Sequence, residues 1–134
     1  VYSVLAAAPA IMNATWPKEA QGKGFTQKDS DHCKELQYYS YLGTFIAQFQ
    51  LVHKLLKENP DKELVFHVTG VGLGVFGCDP KVFSQAFKKI AFRFQESLSD
   101  EQKEKVRVQF ESYKGSQDQV AADLGFSSVE ERLE

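Results

Sequence analysis

Hydrophobic residues recur at helical spacing from about Cys33 to Glu58. Apolar side chains three or four positions apart share one face of a helix, so this periodicity predicts one long amphipathic helix. The predicted buried stripe consists of Leu36, Tyr39, Leu42, Ile46, Phe49, Val52 and Leu56. Asp29, Ser30 and Asp31 are available to cap its start, and Asn59-Pro60 ends it because proline cannot continue the helical hydrogen-bond ladder.

Two shorter apolar runs predict strands on either side of a second helix. Leu64–Val68 is nearly continuous, which is typical of a central strand buried on both faces. Val106–Glu111 alternates apolar and polar residues, which is typical of a half-exposed strand near a sheet edge. The helix between them begins with Asp79 as N-cap and Pro80 at the first helical position, and its apolar stripe continues to Phe94.

The remaining segments complete the predicted order of elements. Val1–Ala8 is predicted to be a short buried strand, Pro9–Asp31 a long loop, and the polar tail from Tyr113 to Glu134 to close with one helix. The order strand, helix, strand, helix, strand predicts an α/β layer with a parallel sheet and right-handed crossovers. All 134 residues are assigned to one domain.

Composition and charge exclude several classes of function. A formal net charge of -2 gives no electrostatic reason to expect nucleic-acid binding. The longest uncharged stretch, Val1–Pro17, contains two prolines and has no basic region before it, so neither a membrane span nor a signal peptide is expected. Cys33 and Cys78 are expected to be reduced thiols in an intracellular, most simply cytoplasmic, protein. No spacing indicates a metal site or a resident cofactor.

The segment from Gly70 to Gly77, called the glycine segment below, holds the most specific chemical signal. It has four glycines in eight residues and lies between a predicted strand and a predicted helix start. Such a backbone lets several amide groups converge on a diphosphate beside a helix N-terminus. The alternative is a tight turn that only connects the two elements. A nucleotide-binding P-loop is excluded because no Lys-Ser/Thr pair follows. The Rossmann fingerprint is matched only by its glycines, because it requires an acidic residue at the end of the next strand about 20 positions later, and the next predicted strand ends near Glu111, too far along.

The glycine segment and its flanks, from Thr69 to Pro80, resemble the diphosphate-binding loop of macrodomains. The similarity is greatest to the poly(ADP-ribose) glycohydrolases, whose loop has a glycine-x-glycine-x-phenylalanine-glycine core. The predicted order of elements along the chain agrees with that family. The resemblance implies a macrodomain-like layered α/β fold with a mostly parallel central sheet, either whole or as its carboxyl-terminal half.

The resemblance also implies a function and a set of site residues. The chain is expected to bind ADP-ribose or an ADP-ribosylated protein as part of an ADP-ribosyl hydrolase, with Phe76 packing on the distal ribose. The implied ligand-binding residues are Gly70, Val71, Gly72, Leu73, Gly74, Val75, Phe76, Gly77 and, beside the adenine, Tyr113. Phe110 is a further aromatic candidate, although core packing is the simpler expectation for it. The alternatives are a non-catalytic ADP-ribose reader and an NAD-dependent oxidoreductase of the Rossmann type.

No segment of the chain matches the glycine-rich segment followed by paired glutamates that carries catalysis in the glycohydrolases. The first residue is Val rather than Met, so we expect a truncated or processed chain whose catalytic acids lie upstream of residue 1. The acidic residues near the predicted loop are expected to be solvated or to cap a helix; they are Glu19, Asp29, Asp31 and Glu35.

Cys78 and the histidines offer a weaker chemical alternative. Cys78 precedes a helix N-terminus, where the dipole favours a thiolate, but the sequence shows no partner base. His67 is expected to be a core histidine, whereas His32 and His53 are isolated. Of the neighbouring Tyr38, Tyr39 and Tyr41, at least one is expected to face a ligand or partner, since three such residues cannot all point inward.

Overall fold

The computed structural model describes residues 18, 30–69, 78–111 and 130–132, with backbone alone for residues 110–111 and 130–132. The elements are α1 (Asp31–Glu58), β1 (Leu64–Thr69), α2 (Pro80–Glu96), α3 (Asp100–Glu104), β2 (Val106–Glu111) and β3 (Glu130–Arg132). Within these residues the fold is α/β, with helices predominating over a small sheet. The predicted strand Val1–Ala8 and most of the predicted loop Pro9–Asp31 lie outside the described residues.

The described sheet has the strand order β1-β2-β3. β1 and β2 are parallel, with Leu64 opposite Val106 and Thr69 opposite Glu111. Since α2 lies between them in sequence, β1, α2 and β2 form the βαβ unit that the order of elements predicts. β3 pairs antiparallel with β2. At 130–132 the structure therefore has a strand where the sequence suggested a closing helix.

The burial of β1 and the position of β2 in the sheet differ from what their patterns suggest. β1 buries only Val68 fully and alternates in exposure, with Leu64 and Phe66 half-buried and the residues between them exposed. The prediction that β1 is buried on both faces is therefore wrong within the described residues. β2 has fully buried Val106 and Val108 and strands on both sides, so it is the central described strand rather than an edge. An apolar run of five residues does not reveal that only one of its faces is covered.

The long helix begins and ends where the sequence places it. The Ser30 hydroxyl caps its start by accepting from the Cys33 backbone amide at 3.1 Å. At its end the Asn59 side-chain amide donates to the carbonyl of Leu55 at 3.0 Å, and Pro60 follows. Both ends therefore follow from local chemistry that the sequence shows directly.

The buried face of α1 differs from the predicted stripe in its first half. Tyr39 and Ile46 are 68% and 43% exposed. The buried positions instead follow steps of four residues and then continue to the helix end; they are Cys33, Gln37, Tyr41, Phe45, Phe49, Val52, Leu55 and Leu56. Each step of four advances by about 40° around the helix, so the buried face turns along its length. A purely hydrophobic pattern does not show this stripe, because its first two positions are Cys33 and the polar Gln37.

The core is an aromatic contact between α1 and α2. Phe45 meets Phe83 and Phe87 edge-on, with ring centroids 5.1 and 5.2 Å apart. Tyr41 meets Phe83 at 4.9 Å, and Phe49 lies 4.8 Å from Phe94. Edge-to-face pairs at these distances add to the free energy gained by burying the rings. The predicted apolar stripe of α2 is confirmed, since all of its residues are buried.

Phe83→Ala tests this core, because the side chain is fully buried against both Tyr41 and Phe45. We expect it to lower the free energy of unfolding by about 3 to 5 kcal/mol, from lost burial and the cavity left behind. Phe92→Ala on the same helix is the matched control, since Phe92 is 61% exposed and should cost less than about 1 kcal/mol. Urea unfolding of the two variants measures the difference, and equal losses would contradict the described core.

Candidate functional site

The glycine segment lies outside the described residues, but the structure describes the chain on both sides of it. β1 ends at Thr69, and the description resumes at Cys78, directly before the N-cap Asp79 of α2. The predicted strand and helix on the two sides are therefore confirmed. All the predicted ligand-binding residues, Gly70–Gly77 and Tyr113, fall outside the described part, so their contacts stay predictions.

The parallel pairing fixes the edge of the sheet at which the glycine segment begins. Thr69 and Glu111 are register partners at the carboxyl ends of β1 and β2. The chain that leaves β1 and the chain that leaves β2 therefore start from the same edge. In open α/β sheets this is the edge where ligands bind.

The N-terminus of α2 is held by a side chain from α1. The Oε1 atom of Gln37 accepts from the backbone amide of Asp79 at 2.7 Å. Its Nε2 atom donates to the sulfur of Cys33 at 3.3 Å. Gln37 is only 3% exposed, and both the oxygen and the nitrogen of its side-chain amide have a hydrogen-bond partner, as buried polar groups require. The Asp79 carboxylate accepts from the Lys81 amide at 2.9 Å and so caps α2 locally.

One helical turn further along α1, the hydroxyl of Tyr41 donates to the sulfur of Cys78. Burial raises the pKa of the Tyr41 hydroxyl, and the hydrogen bond to Cys78 raises it further. Burial also raises the pKa of the Cys78 thiol, and the nearby Cys33 adds to that rise, while the Tyr41 hydrogen bond opposes it. Both groups are therefore protonated over the physiological range.

These contacts correct the expectation that the helix N-terminus activates Cys78. The side chain is 3% exposed, and the net direction of its pKa is upward because desolvation outweighs the lowering effect of the Tyr41 hydrogen bond. A buried, protonated thiol is a poor nucleophile, so Cys78 has a structural role here. Cys33 and Cys78 are both buried and are not joined by a disulfide, as expected for reduced thiols.

Comparison of the chain with known protein families, curated proteins and solved structures gives no match. Function is therefore inferred from the residues and their geometry.

The histidines are not brought together. His67 lies on the exposed face of β1, so the prediction of a core histidine is wrong. His67 alternates along β1 with Phe66 and Val68, and only the strand face that carries Phe66 and Val68 is turned toward the helices. His32 is exposed at the start of α1, and His53 meets the ring of Phe94 edge-on at 6.1 Å. Within the described ranges no cluster of three or more histidine, cysteine, aspartate or glutamate residues has the geometry to hold a metal ion.

The acidic residues and tyrosines near the start of α1 divide by exposure. Asp31 and Glu35 are exposed, as expected for solvated carboxylates, while Glu19 and Asp29 lie outside the described residues. Among the tyrosines, Tyr41 is buried, Tyr38 half-buried and Tyr39 exposed, so the expectation that one of them faces outward is confirmed. Tyr38 and Tyr39 contact each other edge-on at 5.6 Å. For Phe110 the structure gives its place in β2, opposite Val68, and no side-chain contacts.

Among the cavities lined by described residues are two beside α1, and the larger of these does not suit a diphosphate. The larger, about 400 Å³, lies between α1 and β1 and is lined by Leu51, Val52, Leu55, Leu64, Val65, Phe66 and His67. The smaller, about 260 Å³, lies between the second halves of α1 and α2. The larger cavity has six apolar lining residues and one histidine, so it lacks the converging donors that phosphates require.

No helix in the described part is long and apolar enough to cross a membrane.

Sequence reasoning missed Gln37 as a residue of this site. The signal was nonetheless present, because Cys33, Gln37 and Tyr41 are spaced by four and share one face of α1. A second signal is Val82 at the third position of α2, where a glutamine or glutamate would have bonded the N-cap amide locally. The Asp79 amide therefore needed a partner from elsewhere in the chain.

The raised pKa values of Tyr41 and Cys78 predict a loss of stability at alkaline pH. Ordinary thiols and phenols ionise near 9.0 and 10.0, so above about pH 9 the unfolded chain releases protons that the folded chain retains. Unfolding is then increasingly favoured as the pH rises, whereas the full contribution is present below that range. Tyr41→Phe should make the decline in the free energy of unfolding between about pH 9.5 and about pH 11 less steep than in the wild type.

Urea unfolding at a series of pH values measures this slope. Tyr39→Phe is the matched control, because it removes an exposed tyrosine from the same helix and should leave the slope unchanged. An identical alkaline decline in Tyr41→Phe and the wild type would show that Tyr41 ionises equally in both states.

Proposed function

We propose that this chain binds ADP-ribose or an ADP-ribosyl group through the glycine segment, as part of an ADP-ribosyl hydrolase. The observation that carries the proposal is the position of the segment. It runs from the carboxyl end of a parallel strand at Thr69 to a capped helix N-terminus at Asp79. The resemblance to the macrodomain loop supplies the identity of the ligand.

The start of α2 suits a negatively charged ligand. The first backbone amides of a helix lack intrahelical partners, and their dipoles favour an anion. The first turn of α2 contains no acidic residue, and Lys81 is exposed within it. The nearby carboxylate of Asp79 is already bonded to the Lys81 amide. Pro80 has no amide proton, and the Asp79 and Lys81 amides already have side-chain partners. This turn therefore offers a diphosphate its dipole and the exposed Lys81 cation, with the nearest acid already neutralised in part by its hydrogen bond.

The sheet edge is consistent with an aromatic contribution to the same ligand. Tyr113 follows Glu111 by two positions, and Glu111 lies opposite Thr69 in the register. The two parts of the chain proposed to contact the nucleotide, the glycine segment and Tyr113, therefore follow two neighbouring strands, β1 and β2. In this proposal Phe76 packs on the distal ribose and Tyr113 lies beside the adenine, as the resemblance implies.

The order of elements weighs against the oxidoreductase alternative. A Rossmann site places an acidic residue at the end of the next strand, about 20 residues beyond the last glycine. In this chain that distance from Gly77 reaches the end of α2, where the cap is Ser97. The next strand ends only at Glu111. Calorimetric titration with NAD and with ADP-ribose separates the two classes, and binding of NAD alone would favour the oxidoreductase.

The hydrolase and reader versions of the proposal differ in chemistry, not in the binding loop. Hydrolysis requires a carboxylate that positions water or protonates the leaving group while an oxocarbenium-like centre develops at the ribose carbon. We assign no such group among the described residues. Incubation of the full-length protein with an ADP-ribosylated peptide separates the two, because release of ADP-ribose requires the hydrolase and retention of the modified peptide without release indicates the reader.

Gly74→Glu should abolish ADP-ribose binding. The added side chain would occupy the space that a close-approaching diphosphate needs, and its charge would repel that ligand. Gly43→Glu is the matched control, because it adds the same group to α1 at a position with nothing within 4 Å of the new Cβ. Isothermal titration calorimetry should show binding by the wild type and Gly43→Glu and none by Gly74→Glu. Equal affinity in all three would place the ligand elsewhere, and no binding by a folded wild type would contradict the proposed function.

A further inference from the structure

The outward face of α2 carries positive charge that the chain as a whole lacks. α2 has four basic residues and one acidic residue, whereas the whole chain has 16 basic and 18 acidic residues. All four basic side chains are exposed; they are Lys81, Lys88, Lys89 and Arg93. Since three of them fall in the second half of the helix, the small net charge of the chain conceals a local cationic surface.

The three cations of this half make no ion pair within the described residues. Elsewhere in the described ranges basic side chains pair with carboxylates; the pairs include Lys54 with Glu58 at 3.9 Å, Lys105 with Glu101 at 3.4 Å and Arg107 with Glu63 at 3.1 Å. Lys89 and Arg93 are four positions apart on the helix, where like charges repel each other. Such a group of cations favours a partner of opposite charge, which removes the repulsion on binding.

An apolar groove lies beside the cationic half of α2. It is open to solvent, has a volume of about 260 Å³ and runs between the second halves of α1 and α2. Its described lining residues are half apolar; they are Ile46, Phe49, Gln50, His53, Ile90, Arg93, Phe94 and Ser97. Ile46 is 43% exposed, and Arg93 places a cation at the groove itself. The groove can therefore receive an apolar side chain next to a positive charge.

Phe92 adds an exposed aromatic ring to the same surface. Its side chain is 61% exposed, and it lies one helical turn after Lys88 and next to Arg93 in sequence. At about 100° per residue it points away from the buried Phe94, so it occupies the middle of the outward face. Aromatic and arginine side chains are enriched among the residues that contribute most to binding in protein interfaces.

We propose that the second half of α2 and the groove beside it bind an acidic polypeptide segment of a partner protein. Carboxylates of the segment pair with Lys88, Lys89 and Arg93, and one apolar side chain of the segment enters the groove beside Ile46. Charge complementarity gives the segment its orientation, and the apolar anchor adds affinity that salt does not screen. The inference does not depend on the proposed function.

The described contacts favour a polypeptide over the other anionic partners. Single-stranded nucleic acid binds by stacking successive bases on exposed rings, whereas three of the four phenylalanines of α2 are buried. An amphipathic helix that lies on a membrane inserts its apolar face into the lipid, but α2 buries that face against α1. A groove of this size between two helices suits a single apolar side chain.

Fluorescence anisotropy with a labelled peptide tests the proposal. The peptide carries Leu-Phe between two acidic tetrads, each Asp-Glu-Asp-Glu; one control peptide has Ser-Ser at the centre, and another has lysine throughout both tetrads. We expect the first peptide to bind saturably, about tenfold or more tightly than either control, and to bind less tightly as salt is added. No binding of the first peptide, or equal binding of the Ser-Ser peptide, would overturn the proposal.

Charge reversal locates the binding surface. Lys89→Glu and Arg93→Glu should each weaken binding of the acidic peptide about tenfold, and Phe92→Ala about threefold. Lys34→Glu is the matched control, because it makes the same change of charge at an exposed position of α1, 12 residues before Ile46 and so about 18 Å away. All four positions are exposed, so the variants should fold, and circular dichroism checks this. Equal losses in Lys34→Glu and Arg93→Glu would show that net charge alone is responsible and would overturn the proposal.

The same variants identify any other occupant. Self-association in sedimentation velocity that Arg93→Glu abolishes would show that a second copy of the chain covers the surface. Tighter binding of a uridine oligonucleotide than of the acidic peptide would show a nucleic-acid surface. Co-sedimentation with phosphatidylserine vesicles that Arg93→Glu abolishes would show a membrane surface. Each of these three results would overturn the proposal of an acidic polypeptide.

Discussion

The aromatic contact between α1 and α2 is the interaction on which the rest of the described structure depends. Phe45 packs against Phe83 and Phe87, and this contact sets how closely the two helices approach. Only at that separation can the Gln37 side chain reach the Asp79 amide and the Tyr41 hydroxyl reach the Cys78 sulfur. The non-directional energy of ring burial thus holds the helices together, and a few directional hydrogen bonds determine where the second helix begins.

The candidate site combines these two kinds of interaction at one end of the helix pair. The carboxyl ends of β1 and β2 lie together at one edge of the sheet, because the two strands are parallel. The glycine segment therefore connects two elements that are each fixed by contacts of their own. In the proposed function this connection is the loop that binds the diphosphate.

Local signals in the sequence predicted the elements more successfully than their environments. Ser30, Asp79-Pro80 and Asn59-Pro60 predicted the helix boundaries, since capping depends on neighbouring residues alone. The burial of β1 and the position of β2 in the sheet were predicted wrongly, because both depend on where distant helices and strands pack. For the same reason the sequence predicted the glycine segment but not Gln37, whose partner is 42 residues away.

The glycine segment is proposed to bind the diphosphate of ADP-ribose. Titration of the isotope-labelled chain with ADP-ribose, followed by amide chemical shifts, tests it most directly. The account predicts that the largest shifts fall on residues 70–77, with smaller ones at the first turn of α2 and none around the apolar cavity beside β1. Saturable shifts confined to that cavity, or no shifts in a folded chain, would contradict it.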